Sequence, residues 1–110
     1  MQIDYSRNKL RKQLTNATEL KKAYGVHAKR IANRLDDIAA SPNLAVLIQI
    51  PAANCHQLSG KRKSEWAVAI SGNYRLIFEI DCDPIPLLED GGIETEAIDK
   101  IRILEIVDYH

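Results

Sequence analysis

Residues 65–80 constrain the fold more than any other stretch of this chain. Glu65–Ser71 places Trp66, Val68 and Ile70 at every second position, and Tyr74–Ile80 does the same with Tyr74, Leu76, Phe78 and Ile80. Side chains alternate between the two faces of a strand, so each run buries one face of a sheet. Between the runs stand only Gly72 and Asn73, two residue types that accept positive φ and close tight hairpins. An antiparallel hairpin is predicted, with Arg75, Ile77 and Glu79 on its other face.

The remaining elements are arranged around this hairpin. Residues 3–5 read as a short edge strand, and Ser6 as the cap of a short helix whose Leu10 and Leu14 share a face. Asn16 and Glu19 have the spacing of a capping box, which starts a second helix running to residue 40. Its stripe is Leu20, Tyr24, His27, Ile31, Leu35 and Ile38, and Gly25 marks a candidate break. Ser41-Pro42 ends it. Residues 44–50 are apolar and short. They read as a strand by composition, although periodicity alone leaves a buried turn or short helix open. Residues 101–109 are apolar on both faces (Ile103 and Val107; Leu104 and Ile106), as suits a central strand. The expected fold is α+β: a helical hairpin over residues 1–40, packed on a twisted, mostly antiparallel sheet within residues 56–110.

A chain of 110 residues, 45% of them hydrophobic, is long enough for one domain with one core. It has no apolar run of membrane-spanning length, and its first residues lack the regions of a signal peptide. Cys55 and Cys82 stand far apart, without the spacing of a zinc site or a disulfide framework, so a reducing cytoplasm is expected. The formal net charge of zero conceals a division. Residues 1–63 hold twelve Lys/Arg against four Asp/Glu, and residues 64–110 hold three against eleven. Lys21, Lys22, Lys29, Arg30 and Asn33 lie opposite the apolar helix stripe. Such a face binds a polyanion, or is simply solvated. The acidic half is concentrated at 81–100, where Pro84, Pro86 and Gly91-Gly92 predict a long exposed loop.

Three features could carry chemistry. The chain closes on Asp108-Tyr109-His110, either an active-site edge or a frayed polar terminus. His56 precedes the basic run Gly60-Lys61-Arg62-Lys63, a plausible setting for a phosphate. Arg75 sits in mid-strand, as a phosphate ligand or as one half of a structural ion pair.

Taken together, the stretch from Leu58 through Trp66 and Arg75 to Phe78, with the ending Glu105-Ile106-Val107-Asp108-Tyr109-His110, resembles the HigB toxins. These belong to the RelE/ParE superfamily of bacterial toxin–antitoxin systems. The resemblance implies a microbial-ribonuclease-like fold and cleavage of mRNA in the ribosomal A site. It also implies a helix-turn-helix, HigA-like antitoxin, and operator DNA reached through that partner. The family pattern His, any residue, Leu, Lys, Gly becomes His56-Gln57-Leu58-Ser59-Gly60, so one expected cation is replaced by Ser59.

The implied chemistry uses neither metal nor cofactor. The RNA 2′-OH attacks its own phosphate, which needs a base, an acid for the leaving 5′-oxygen, and cations on the phosphate. His56 and His110 take the proton roles in either order. Asp108 orients a base, and Tyr109 stacks or donates a hydrogen bond. Arg75 with Lys61 or Arg62 holds the phosphate. In an extended segment Lys61 would lie on the same side as Ser59 and replace the missing cation. Lys21, Lys22, Lys29, Arg30, Arg62 and Lys63 contact RNA or ribosome phosphates. The alternatives are a ParE-like poison of DNA gyrase and a catalytically weak antitoxin-binding domain.

Overall fold

The computed structural model describes residues 1–62 and 64–109. Lys63 and His110, both expected in the site, lie outside the described residues.

The predicted hairpin forms from β3 (Glu65–Ser71) and β4 (Tyr74–Ile80). Gly72 at its turn takes φ +53°, the left-handed region that glycine enters without strain. The sheet has five strands in the order β1-β5-β4-β3-β2, with β1 as Gln2–Tyr5, β2 as His56–Gln57 and β5 as Lys100–Asp108. Only β1 with β5 is parallel, Gln2 facing Lys100 and Tyr5 facing Ile103. The other pairs are antiparallel. The expected α+β class and mostly antiparallel sheet are therefore what the chain adopts.

The helices are α1 (Asn8–Thr15), α2 (Ala17–Tyr24), α3 (Ala28–Ala40) and α4 (Leu44–Ile48). Leu10, Leu14, Leu20, Ile31, Ile38, Leu44 and Leu47 bury against Trp66, Val68, Ile70, Leu76, Phe78, Ile101 and Ile103, which places the helices on one sheet face. Asn16 caps α2 as its spacing predicts, Oδ1 accepting from the Glu19 N–H at 3.0 Å. Ser6 caps nothing. The N-cap of α1 is Arg7, without a side-chain bond, while the Ser6 hydroxyl donates across to the Leu104 carbonyl at 3.2 Å. The expected second helix is divided at residues 25–27, where Gly25 takes φ +53° and a single 3₁₀ turn leads into α3.

Residues 44–50 are not a strand. Asn43 Oδ1 accepts from the Val46 N–H at 3.0 Å and starts α4, which buries Leu44 and Leu47 one turn apart. Residues 44–48 are apolar throughout and carry no period, so the upstream cap is the local signal for a helix. In β5 the partner of Ile77 is Glu105 but that of Phe78 is Ile103, which leaves Leu104 as a bulge. Ile103 and Ile106 consequently both pack towards the helices, and the expected pairing of Ile103 with Val107 on one face does not hold. Residues 81–100 are not wholly exposed either: Ile98 is buried and its carbonyl accepts from the Leu44 N–H at 2.9 Å.

Candidate active site

Strand parity decides which side chains can meet. On the sheet face turned away from the helices, the register aligns His56, Ala67, Ile77 and Glu105 in one row. The next row holds Ala69, Arg75 and Val107. Ala67 and Ile77 are only 1% and 0% exposed although no helix covers them. The Arg62 side chain crosses this region. Its Nε and Nη2 donate to Glu65 Oε1 at 3.1 and 2.6 Å, and its Nη1 donates to the Tyr109 hydroxyl at 2.9 Å. Glu105 Oε2 stands 4.0 Å from Nη2. Glu65 is on β3 and Glu105 on β5, so the guanidinium straps across β4. The hydrogen bond to Glu65 holds its pKa above the ordinary arginine value.

Arg62 is therefore engaged by protein groups rather than held out as a free phosphate ligand. Lys61 is exposed beside it. Residues Gly60–Arg62 form a 3₁₀ turn, with Gly60 at φ +67° and the Arg62 N–H reaching the Ser59 carbonyl at 3.4 Å. The extended geometry that would align Lys61 with Ser59 is absent, because the glycine turns the chain before the alternation can develop.

Arg75 is half-buried, and its Nη1 donates to the carbonyls of Gly72 at 2.7 Å and Tyr74 at 2.9 Å. The hairpin turn thus fixes the guanidinium, and neither partner neutralises its charge. His56 is exposed on the edge strand, with Nδ1 2.9 Å from the Asn54 carbonyl. A carbonyl only accepts, so Nδ1 donates in this contact and Nε2 is the ring nitrogen left for proton transfer. Three strand spacings, about 14 Å, separate β2 from β5.

The closing Asp108-Tyr109 does not form one cluster. Asp108 faces Tyr74 in the register, on the helix side, whereas the Tyr109 hydroxyl meets Arg62 on the other side. On the helix side, around Tyr74, lies a group that the apolar stripe concealed. His27 Nδ1 is 2.8 Å from Ser71 Oγ, and its ring lies on Tyr74 with centroids 4.0 Å apart. Glu65 and Glu105 were likewise not expected in the site. Glu65 shares the parity of Arg75 within the hairpin, but Glu105 joins them only because of the bulge. Lys21, Lys22, Lys29 and Arg30 are all exposed on α2 and α3, away from this face. They belong to none of the ion pairs among the described residues.

A family model for the RelE-like toxin of the type II toxin–antitoxin system HigB matches residues 4–86. The chain belongs to this HigB-like toxin family. The match spans the helices, the basic loop and the β3–β4 hairpin, while β5 and Asp108-Tyr109 lie beyond its end. This HigB-like toxin is thus a toxin of the type II class, for which an antitoxin partner is implied. No curated protein matches its sequence. Among solved structures, a YoeB/ParE toxin from Agrobacterium tumefaciens has the same fold. It is 8% identical over 100% of both chains, with a TM-score of 0.58.

Two further features bear on the chemistry of the HigB-like toxin. Burial pushes the Cys55 thiol up to about 12, so it is no nucleophile near neutral pH, and Cys82 Sγ lies 3.5 Å from the Pro84 carbonyl. Among the described residues, no three His, Cys, Asp or Glu are grouped to hold a metal. No helix among them is long and apolar enough to cross a membrane.

Proposed function

We propose that this HigB-like toxin is a ribosome-dependent mRNA endonuclease, working in the cytoplasm without a metal or cofactor. The observation that carries the reading is Arg75. Its charge is not neutralised by the carbonyls that fix it, and it lies on a sheet face beside Arg62 and Tyr109.

A phosphodiester laid over β4 would meet the Arg75 guanidinium there, and the Arg62 fork if that side chain turns from Glu65 to the phosphate. His56 and His110 would then take the two proton roles. One base takes the 2′-OH proton as the 2′-oxygen bonds to phosphorus. The other group protonates the departing 5′-oxygen, leaving a 2′,3′-cyclic phosphate. Tyr109 would donate to the same phosphate once Arg62 moves, and Lys61, exposed on the turn beside Arg62 rather than in line with Ser59, would supply the charge lost at Ser59. Asp108, on the helix side, would act by orienting a base. The exposed cations Lys21, Lys22, Lys29 and Arg30, with Lys63, would hold ribosomal RNA phosphates. The ribosome would position the mRNA, and neutralisation would come from a helix-turn-helix, HigA-like antitoxin that also binds operator DNA.

The test is incubation of purified toxin with programmed ribosomes and with naked mRNA, mapping RNA ends. Cuts confined to ribosome-bound mRNA, in phase with codons, support the reading. Rapid specific cleavage of naked mRNA removes the ribosome from it. Double-strand DNA breaks in cells expressing the toxin, without mRNA cuts, replace it with gyrase poisoning.

A further inference from the structure

We propose that the acidic loop between β4 and β5 is a preformed docking surface for a basic amphipathic polypeptide segment. In the toxin–antitoxin reading on which this inference rests, that segment belongs to the antitoxin.

The loop is built, not slack. The Leu88 N–H donates to the Gly92 carbonyl at 2.7 Å, the Gly91 N–H to the Leu88 carbonyl at 3.0 Å, and the Glu94 N–H to the Pro86 carbonyl at 3.0 Å. Leu87 and Ile93 form an antiparallel bridge, and buried Ile98 ties the loop to α4. This hydrogen-bonded frame holds apolar side chains in water. Ile85, Leu87 and Leu88 are 40%, 59% and 49% exposed. Of the seven exposed large hydrophobics among the described residues, these three lie within four positions, and Val46 and Ile48 are on the adjoining α4. Leu88 and Ile93 line a cavity of about 250 Å³ together with Glu94, Thr95 and Glu96. Ordering such groups outward has no folding benefit, whereas clustered apolar patches with polar rims mark interaction sites.

Charge selects the occupant. Residues 82–99 contain six carboxylates and no Lys or Arg. RNA phosphates and anionic lipid are repelled by such a rim, while a Lys/Arg-bearing segment with an apolar anchor is attracted on both counts. A second copy fits poorly. Its basic face offers one exposed large apolar side chain, Val26, too little for the area a stable interface buries. The loop joins the start of β5, and Val107, which pairs with Arg75 on the outer face, lies about 20 Å along that strand. Docking here therefore leaves the candidate active face uncovered, and the two can be tested separately.

The experiment titrates the cognate antitoxin into the full-length toxin by calorimetry, with mRNA cleavage and thermal melting read in parallel. Leu88→Glu should weaken antitoxin binding at least about thirtyfold, as loss of an anchor residue does. Glu94→Lys with Glu96→Lys should weaken it and flatten its salt dependence. Leu88→Met should bind as wild type. All variants should melt and cleave as wild type. Wild-type affinity in both Leu88→Glu and the charge-reversed variant overturns the proposal. So does a toxin that sediments as a dimer alone and becomes monomeric on Leu88→Glu. A wild-type toxin that binds antitoxin but cuts no mRNA refutes the nuclease reading alone, because docking is read from binding.

Discussion

Replacing Arg62 by Ala removes the strap across the outer sheet face, and the structure sets the size of the two effects to expect. The side chain makes two contacts to Glu65 and one to Tyr109, and is 38% exposed against 24% for Glu65. Solvent screening limits ion pairs of that exposure to about 1 kcal/mol or less. For a chain of this size that is a fall in Tm of about 5 °C. If Arg62 also turns to the phosphate during cleavage, the loss of rate should be far larger, about 10²–10³, as for other preorganised charges. Arg62→Lys separates the two effects. An ammonium keeps the charge but cannot place two donors on Glu65 and a third on Tyr109 in one plane. It should recover part of the rate and little of the Tm. The assays are thermal melting by circular dichroism and single-turnover cleavage on programmed ribosomes. An unchanged Tm in Arg62→Ala would show that the strap does not hold the 59–62 turn in place. A wild-type rate would remove Arg62 from the phosphate site and leave Arg75 as its cation.

Lys61→Ala should reduce cleavage by about 10²-fold while Ser59→Ala changes it little, since the neutral hydroxyl cannot carry the missing charge. Equal rates for Lys61→Ala and wild type would end the compensation idea. Reversing Lys21, Lys22, Lys29 and Arg30 to Glu should weaken ribosome association, with a shallower salt dependence in sedimentation, because these exposed side chains take part in no internal ion pair among the described residues. Asn43→Ala should lower stability by about 1 kcal/mol in urea melts through loss of the α4 cap, with the cleavage rate unchanged.

The parts of the fold legible in the sequence were those with a period. Alternation in residues 65–80 specified β3 and β4 to the residue, and the three-and-four spacing of Leu20 to Ile38 specified which side of α2 and α3 is buried. Residues 44–50 have no period, and the information sat outside the run, in Asn43. Position within the site was harder to read because it depends on parity across a bulge. With Leu104 inserted, Glu105 and Tyr109 share a face with Arg75, while Asp108 turns away from its neighbour Tyr109. A contiguous motif suggested one cluster where the strand makes two. His27 was hidden for a different reason: an imidazole in an apolar stripe satisfies the helical pattern whether it packs or acts, and only the meeting with Ser71 and Tyr74 distinguishes it.

The strand order carries a consequence for how the molecule is made. The strand β5 lies between β1 and β4, yet its residues are synthesised after every other element. At roughly 5–20 residues per second, β1 waits about 5–20 s for its only partner. For the last part of that interval, once residue 80 has been made, β4 exposes an unpaired edge bearing Leu76, Ile77 and Phe78. The hairpin that fixes Arg75 can close early, from neighbouring residues, whereas the Arg62 strap needs Tyr109. The sheet is therefore completed late and by nonlocal pairing, and the nascent chain cannot close its outer face until translation has passed β5.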